Sequence, residues 1–154
     1  MLLITAVVAI AGCGSDDEQD TGAAAASAGA VSVKSVDGTD VLVDREGRTL
    51  YSAAVEKDDI LCTGGCVSFW APVLGSESDA ESAGVDLGTV ERPDGDSQLT
   101  FEGLPLYTFT EEGAGQLTGD GFTDEFEGTT FVWEAARSAG GDAPDRSPGS
   151  GYGY

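Results

Sequence analysis

A short motif, Gly-x-x-Leu-Tyr, occurs twice in the chain and limits the folds available to it more than any other feature. The first copy spans 47–51 and the second 103–107, and an acid follows each tyrosine by five positions. The recurring residues are Gly47, Leu50, Tyr51 and Glu56 in the first copy, and Gly103, Leu106, Tyr107 and Glu112 in the second. Repetition at a fixed offset indicates that one structural unit has been used twice.

Alternating apolar and polar residues around the first copy predict strands. Residues 31–36 alternate with the period of two that suits a half-buried strand, and Asp37-Gly38 ends this run as a turn. Apolar segments at 40–44 and 49–53 then flank a short glycine-containing connection typical of a hairpin. The simplest prediction is a meander of three strands.

The second copy lies in a similar arrangement. Strands are predicted at 85–91, 98–101, 105–109 and 129–134, with turns at 93–95 and 102–103. Because two- or three-stranded pieces are marginal alone, we expect the two units to cover each other's apolar faces. We therefore predict one compact, mainly β domain over 31–138, made of two similar three-stranded meander units at about 31–74 and 85–134.

Two connecting segments complete the predicted domain. Residues 62–74 contain a pair of cysteines, and their pattern predicts one or two helical turns that end at Pro72. Residues 75–84 are rich in serine and acids and are expected to form a linker between the units. The fold class is therefore mainly β with at most one short helix.

The amino-terminal residues indicate export. The apolar run 2–10 is too short to span a bilayer as a helix and is typical of a signal peptide, which we assign to 1–12. Ile10-Ala11-Gly12-Cys13 resembles the lipobox of bacterial lipoproteins, in which cleavage occurs before the cysteine and the cysteine receives lipid. The resemblance implies that Cys13 is lipidated and anchors the protein to the outer side of the cell membrane.

Composition defines the remaining segments and excludes one class of partner. Residues 13–30 are acidic and alanine-rich, and we predict a tether; the Gly/Pro/Ser-rich segment 139–154 is predicted to be a disordered tail. The chain has 28 acidic and 7 basic residues, a formal charge of −21. A phosphate backbone would be repelled by this charge, so nucleic acid is not expected as a partner.

Together these features resemble a known family. The repeated Gly-x-x-Leu-Tyr strands, the acid five residues after each tyrosine, Cys-x-x-x-Cys before Trp-x-Pro, and the final Trp strand look like the secreted repeat with a Tyr-x4-Asp motif. The resemblance covers Thr39 to Glu134 and implies a prokaryotic exported protein or lipoprotein without an assigned activity. Both family aspartates are glutamates here, Glu56 and Glu112. Two longer side chains favour a tolerant structural role over strict metal coordination.

The two cysteines of the first unit are the sharpest local feature. In an exported protein with Cys13 lipidated, Cys62 and Cys66 most simply form a structural disulfide. The closed loop is short, so its entropic contribution is only about 2 kcal/mol. A redox-active pair is the alternative, because a tight ring next to Gly64-Gly65 could strain the bond. Two thiolates alone do not complete a zinc site.

Three other sets of residues have both a functional and a structural interpretation. Each tyrosine and the acid that follows it could bind a cation or a sugar, or the ring could pack in the core with its hydroxyl bonded to a carboxylate or backbone group. Phe69, Trp70 and Trp133 could contact a ligand such as a glycan, although tryptophans in a small domain usually form the core. An acidic loop offers weak calcium candidates, Asp120, Asp124 and Glu127, without the ordered spacing of known calcium loops.

The sequence therefore predicts an exported envelope lipoprotein that is not an enzyme and needs no cofactor. The absence of histidine removes the commonest general base. The leading prediction is a binding or structural module whose partner is an envelope protein or a glycan. The first alternative is a thiol-disulfide or electron-transfer accessory acting through Cys62 and Cys66, and the second is a calcium-binding module.

Overall fold

Strands are the main regular structure in the part of the chain that the computed structural model describes, residues 26–27 and 31–138. In chain order they are β1 (Ala26–Ser27), β2 (Ser32–Val36), β3 (Thr39–Val43), β4 (Leu50–Ala53), β5 (Trp70–Leu74), β6 (Leu87–Glu91), β7 (Ser97–Phe101), β8 (Leu104–Pro105), β9 (Tyr107–Phe109), β10 (Thr123–Phe126) and β11 (Thr129–Ala135). Within these residues one α-helix, α1 (Glu77–Ser82), lies between β5 and β6. The prediction of a mainly β fold with one short helix is confirmed.

Several predicted segments lie outside the described residues. These are the signal peptide at 1–12, the tail at 139–154, Cys13, and all of the 13–30 tether except Ala26 and Ser27. Those two residues form β1, which pairs in parallel with β5. In the described part of the chain, no helix is both long and apolar enough to cross a membrane.

The two predicted meanders are present. In the first unit β2 pairs with β3, and β3 continues to β4 through a turn at 44–48 that the bridge between Val43 and Thr49 closes. In the second unit β6 pairs with β7, and β7 pairs with β8. Both units therefore contain the three antiparallel segments expected from their alternating patterns.

The tight turns explain why these hairpins form. Asp37 and Gly38 have φ angles of +48° and +81°, and Glu102 and Gly103 have φ angles of +53° and +80°. Positive φ at both central residues gives the turn whose twist matches that of the flanking strands. An acid followed by glycine suits this geometry because glycine adopts positive φ without steric cost.

Both units contribute strands to one large sheet, whereas β2 and β3 of the first unit form a separate two-stranded sheet. The strand order of the large sheet is β10-β11-β4-β9-β5-β7-β6, with β8 added on β7. The two tyrosine strands, β4 and β9, are antiparallel neighbours at its centre, with Tyr51 directly opposite Tyr107. Outside them, β11 of the second unit pairs with β4, and β5 of the first unit pairs with β9. Each tyrosine strand is thus flanked on both sides by strands of the other unit, an approximate twofold arrangement.

The two side chains of each Leu-Tyr dipeptide pack into different hydrophobic clusters, one on each face of the sheet. Successive side chains of a strand point to opposite faces, so Leu50 and Leu106 enter one cluster while Tyr51 and Tyr107 enter the other. All four side chains are fully buried. Burying one leucine contributes about 2 kcal/mol, so the motif stabilises both faces of the sheet. The aliphatic cluster comprises Val31, Leu42, Leu50, Val73, Ala80, Leu99, Leu106 and Ala136.

Three segments differ from their predicted structure. The 75–84 linker contains α1, which begins at a capping box in which Ser76 and Asp79 bond each other's backbone amides. The helical turns predicted to end at Pro72 are limited to a 3-10 turn at Cys66–Ser68, and Trp70–Leu74 is strand β5 instead. The segment predicted as an acidic loop contains strand β10, joined to β11 through Glu127 and Gly128, which also have positive φ.

Candidate functional site

Each repeated tyrosine forms a hydrogen bond with the acid of the other unit. The Tyr51 hydroxyl donates to Glu112 Oε1 at 2.7 Å, and the Tyr107 hydroxyl donates to Glu56 Oε1 at 3.1 Å. All four side chains are buried. The pairs suggested by sequence spacing, Tyr51 with Glu56 and Tyr107 with Glu112, are therefore not the bonded pairs, because the antiparallel pairing of β4 with β9 places each hydroxyl against the other unit's acid.

Each acid also fixes the loop that follows its own tyrosine strand. Glu56 Oε1 accepts hydrogen bonds from the amides of Leu61 and Cys62, at 2.8 and 2.7 Å. Glu112 Oε2 accepts from the Thr118 hydroxyl at 2.7 Å and from the Gly119 amide at 3.2 Å. One carboxylate therefore joins its own loop to the partner unit's tyrosine. This is a structural use of the acid.

Gly119 explains how the second loop comes so close to the core. A Cβ atom added at this position would lie 2.8 Å from Cζ of Tyr51 and 3.1 Å from the Trp70 ring. Only glycine leaves room for the loop amide to reach Glu112 beside these rings. The sequence signal was weak, since this is one of 23 glycines.

Burial controls the ionisation of this cluster. Desolvation raises the pKa of Glu56 above its ordinary value, against the lowering effect of the Cys62 and Leu61 amides. Burial likewise raises the pKa of Tyr51 and of Tyr107, and their neighbouring acids act in the same direction. Both tyrosines therefore remain protonated donors at neutral pH.

The predicted disulfide between Cys62 and Cys66 is confirmed. Both cysteines are fully buried. The Cys62 amide donates to Glu56, and its carbonyl accepts a 2.9 Å hydrogen bond from the buried Arg92 guanidinium. The loop is thus held at one residue by a covalent bond and two hydrogen bonds. A buried disulfide has no surface at which a partner's thiolate could attack.

The two tryptophans form the centre of an aromatic stack. Their rings lie 4.1 Å apart and 15° from parallel. Phe109 stacks on the outer face of Trp70 at 4.5 Å, and Phe131 stacks on Trp133 at 5.3 Å. Since Trp70 and Trp133 are fully buried, they cannot act as a platform for a sugar. Both tryptophans are therefore part of the hydrophobic core, as is usual for tryptophans in a small domain.

The calcium candidates are engaged in separate interactions. Asp120 accepts from the Ala135 amide at 3.0 Å and from Arg137 at 2.7 Å. Asp124 accepts the Trp70 indole N–H at 2.7 Å, and Glu127 lies in the exposed β10–β11 turn. Among residues 31–138, no three side chains of histidine, cysteine or acid are grouped so that they could hold a metal ion.

Among the described residues, an open cleft beside β10 contains the most exposed aromatic side chains. It has a volume of about 250 Å³ and is lined by four phenyl rings and three carboxylates: Phe69, Phe109, Phe122, Phe126, Glu111, Asp124 and Glu125. Phe69 and Phe122 are 43 % and 41 % exposed. Phe69 was a predicted ligand contact and Asp124 a weak metal candidate; the other members were missed, although phenylalanines flank the acids in 122–126.

The chain was compared with known proteins by family, by sequence and by structure. Residues 88–133 match the family of secreted repeats of unknown function. The match runs from β6 to Trp133, so it covers most of the second unit and confirms the resemblance there. It indicates an extracytoplasmic location for the protein. No curated protein and no solved structure matches the chain.

The crossed hydrogen bonds between the two units predict a specific pattern of energetic coupling. A double-mutant cycle with Tyr51→Phe and Glu112→Gln should give a coupling energy of about 1–2 kcal/mol, because it removes one buried charged hydrogen bond. The free energy of unfolding is measured by denaturant titration. Tyr51→Phe combined with Glu56→Gln is the matched control and should be additive within about 0.5 kcal/mol. Coupling only in the control pair would contradict the crossed hydrogen bonds.

The raised pKa of Glu56 predicts a pH-dependent stability for the protein. At pH values between the pKa of Glu56 in the unfolded chain and its raised pKa in the folded protein, the folded state binds more protons than the unfolded state. The free energy of unfolding therefore falls as pH rises through this window. The contribution is complete below the unfolded pKa and lost above the folded one. Glu56→Gln removes the group that ionises, so the variant should lack this pH-dependent fall. The free energy of unfolding of the wild type, minus that of the variant, should therefore decrease with rising pH.

Denaturant titrations at a series of pH values measure this dependence. Glu134→Gln removes the same charge at an exposed position of β11 and reports the effect of net charge alone. A wild-type stability that rises relative to Glu56→Gln across the window would show that the pKa of Glu56 is lowered in the folded state.

Proposed function

We propose that the protein is exported, anchored to the outer side of the cell membrane through lipid on Cys13, and acts there as a non-catalytic binding module. The cleft bounded by Phe69 and Phe122 carries this proposal, because it is where large aromatic side chains remain open to solvent. The occupant is an envelope component outside the membrane. The tether after Cys13 holds the folded domain clear of the bilayer surface.

The internal use of the repeated acids supports a non-catalytic role. Tyr51, Tyr107, Glu56 and Glu112 bond to one another and to loop amides, and their side chains are buried. A substrate in solution would have to displace these bonds to reach a carboxylate. Buried groups that already bond to one another and to loop amides contribute to stability.

The exposed rings of the cleft support a binding role. Isolated apolar side chains on a surface are common, but Phe69 and Phe122 lie together with Phe109 and Phe126 around one concavity. Concave aromatic surfaces with a few polar groups are the usual form of a ligand site. The carboxylates at the rim add polar selectivity to an otherwise apolar contact.

Lipidation is tested with a clickable fatty-acid label in a bacterial host. The full chain should incorporate the label and fractionate with membranes, whereas Cys13→Ala should be unlabelled and soluble outside the cytoplasm. The double variant Cys62→Ser/Cys66→Ser is the matched control: it also loses cysteine but should keep the label. Equal labelling of Cys13→Ala would contradict the anchor at that residue.

Binding is tested by sedimentation of the unanchored Cys13→Ala chain with isolated cell envelopes. We expect saturable retention that Phe69→Ser/Phe122→Ser reduces about tenfold, since two exposed contacts are lost. Val132→Ser changes a residue that is 48 % exposed on β11 and lies outside the cleft, so it should retain full binding. Equal retention of all three proteins would rule out the cleft as the binding surface.

A further inference from the structure

We propose that the cleft binds a small organic ammonium ion, a positively charged nitrogen carrying alkyl groups. This inference rests on the proposed function and names the class of ligand that the cleft would take. The argument depends on the type, placement and charge of the side chains that line it.

The phenyl rings provide faces rather than hydrogen bonds. Phe109 and Phe122 lie 5.4 Å apart between ring centroids, inclined by 41°, and Phe69 and Phe126 lie 6.0 Å apart, inclined by 33°. Each pair is in contact, and the ring surface that remains open to solvent belongs mainly to Phe69 and Phe122, which are 43 % and 41 % exposed. The electron-rich face of an aromatic ring attracts a cation, and alkyl groups on that cation add apolar contact.

The cleft carries negative charge that no residue of its lining neutralises. Glu111 and Glu125 line the cleft, and within residues 31–138 their carboxylates make no hydrogen bond or ion pair. None of the residues that line the cleft is basic. A ligand with one positive charge would therefore gain attraction without displacing an internal partner, and the formal charge of −21 on the chain acts in the same direction.

Asp124 provides a fixed carboxylate in the lining of the cleft. It accepts the indole N–H of the buried Trp70 at 2.7 Å, and this bond holds one of its oxygens against the core. Trp70 also stacks on Phe109, so the ring wall and the carboxylate are positioned by the same residue. The site is consequently set by the core and not by loop side chains alone.

The aromatic wall distinguishes an organic cation from a metal ion. Calcium prefers six to eight oxygen ligands and stays strongly hydrated next to apolar surface. An alkylammonium ion is weakly hydrated and gains from contact with rings on several sides. Four phenyl rings against three carboxylates fit the second kind of ligand.

The test titrates choline into the full chain carrying Cys13→Ser and compares it with the uncharged tert-butyl isostere, dimethylbutanol, at constant ionic strength. The readout is the indole N–H signal of Trp70 in a nitrogen-proton spectrum, because that proton bonds to Asp124. The indole nitrogen of Trp133, which is buried and has no partner in the described residues, provides a second signal in the same sample. Choline should shift the Trp70 signal saturably, and the isostere should not.

Substitutions of the carboxylates and of the phenyl rings test separately how much each contributes to choline binding. Glu111→Gln/Glu125→Gln should weaken choline binding about tenfold, and Phe122→Leu about three- to tenfold, by loss of cation–π attraction. Glu91→Gln, which removes an acid on the opposite edge strand β6, should leave affinity unchanged. Phe69→Leu is a second ring variant if Phe122→Leu fails to fold, which an altered Trp133 signal would reveal.

Three results would overturn the proposal. Equal binding of choline and its isostere would show an apolar pocket without selectivity for charge. A calcium-induced shift that survives Phe122→Leu, with no effect of choline, would show a carboxylate metal site. The absence of any saturable shift with choline would show that the cleft does not bind organic ammonium ions. Because purified protein is used, retention on envelopes without choline binding would overturn this inference and leave the proposed function standing.

Discussion

The structure depends on the crossed hydrogen bonds between Tyr51 and Glu112 and between Tyr107 and Glu56. An unpaired carboxylate at these depths would cost several kcal/mol, roughly the stability of a small domain. Each acid reduces that cost with donors from two sources, its own loop and the tyrosine of the other unit, although Oε2 of Glu56 has no partner among the described residues. Neither unit can satisfy its acid alone. The two copies of the motif therefore form one domain in which each completes the other, and the interleaved strand order of the sheet makes these crossed bonds possible.

The same crossing organises the aromatic core. Tyr51 contacts Trp70 edge to face at 5.5 Å, and Tyr107 contacts Trp133 in the same way at 5.2 Å. The stacked tryptophans lie between the two tyrosines, one supplied by each unit. Aromatic pairs contribute about 0.5–1.5 kcal/mol each beyond the area they bury, so this arrangement adds geometric selectivity to the hydrophobic term. It also explains why the motif combines a leucine, which serves the opposite face, with a tyrosine whose hydroxyl can reach a carboxylate.

Local features of the fold could be predicted because their causes are local. Turns at Asp37-Gly38 and Glu102-Gly103, the alternating strands and the disulfide each depend on residues that are close in sequence. The helix α1 was missed although its capping box is visible at Ser76 and Asp79, since an acidic serine-rich composition also suits a linker. Strand β10 was missed because its acids suggested a loop. The exchange of acids could not be predicted at all: Tyr51 and Glu112 are 61 positions apart, and only the pairing of β4 with β9 brings them together.

The differences between the copies locate the cleft. In register, Trp133 faces Ala53 on the first tyrosine strand, whereas Trp70 faces Phe109 on the second. The position two residues after the tyrosine is therefore small in one unit and aromatic in the other, and Phe109 is a wall of the cleft. The disulfide-bonded loop ends at Phe69, whose carbonyl accepts the Thr110 amide at 2.8 Å, so the covalent constraint positions a second wall. The shared residues build the sheet and its core, and the residues that the repeats do not share build the surface open to a ligand.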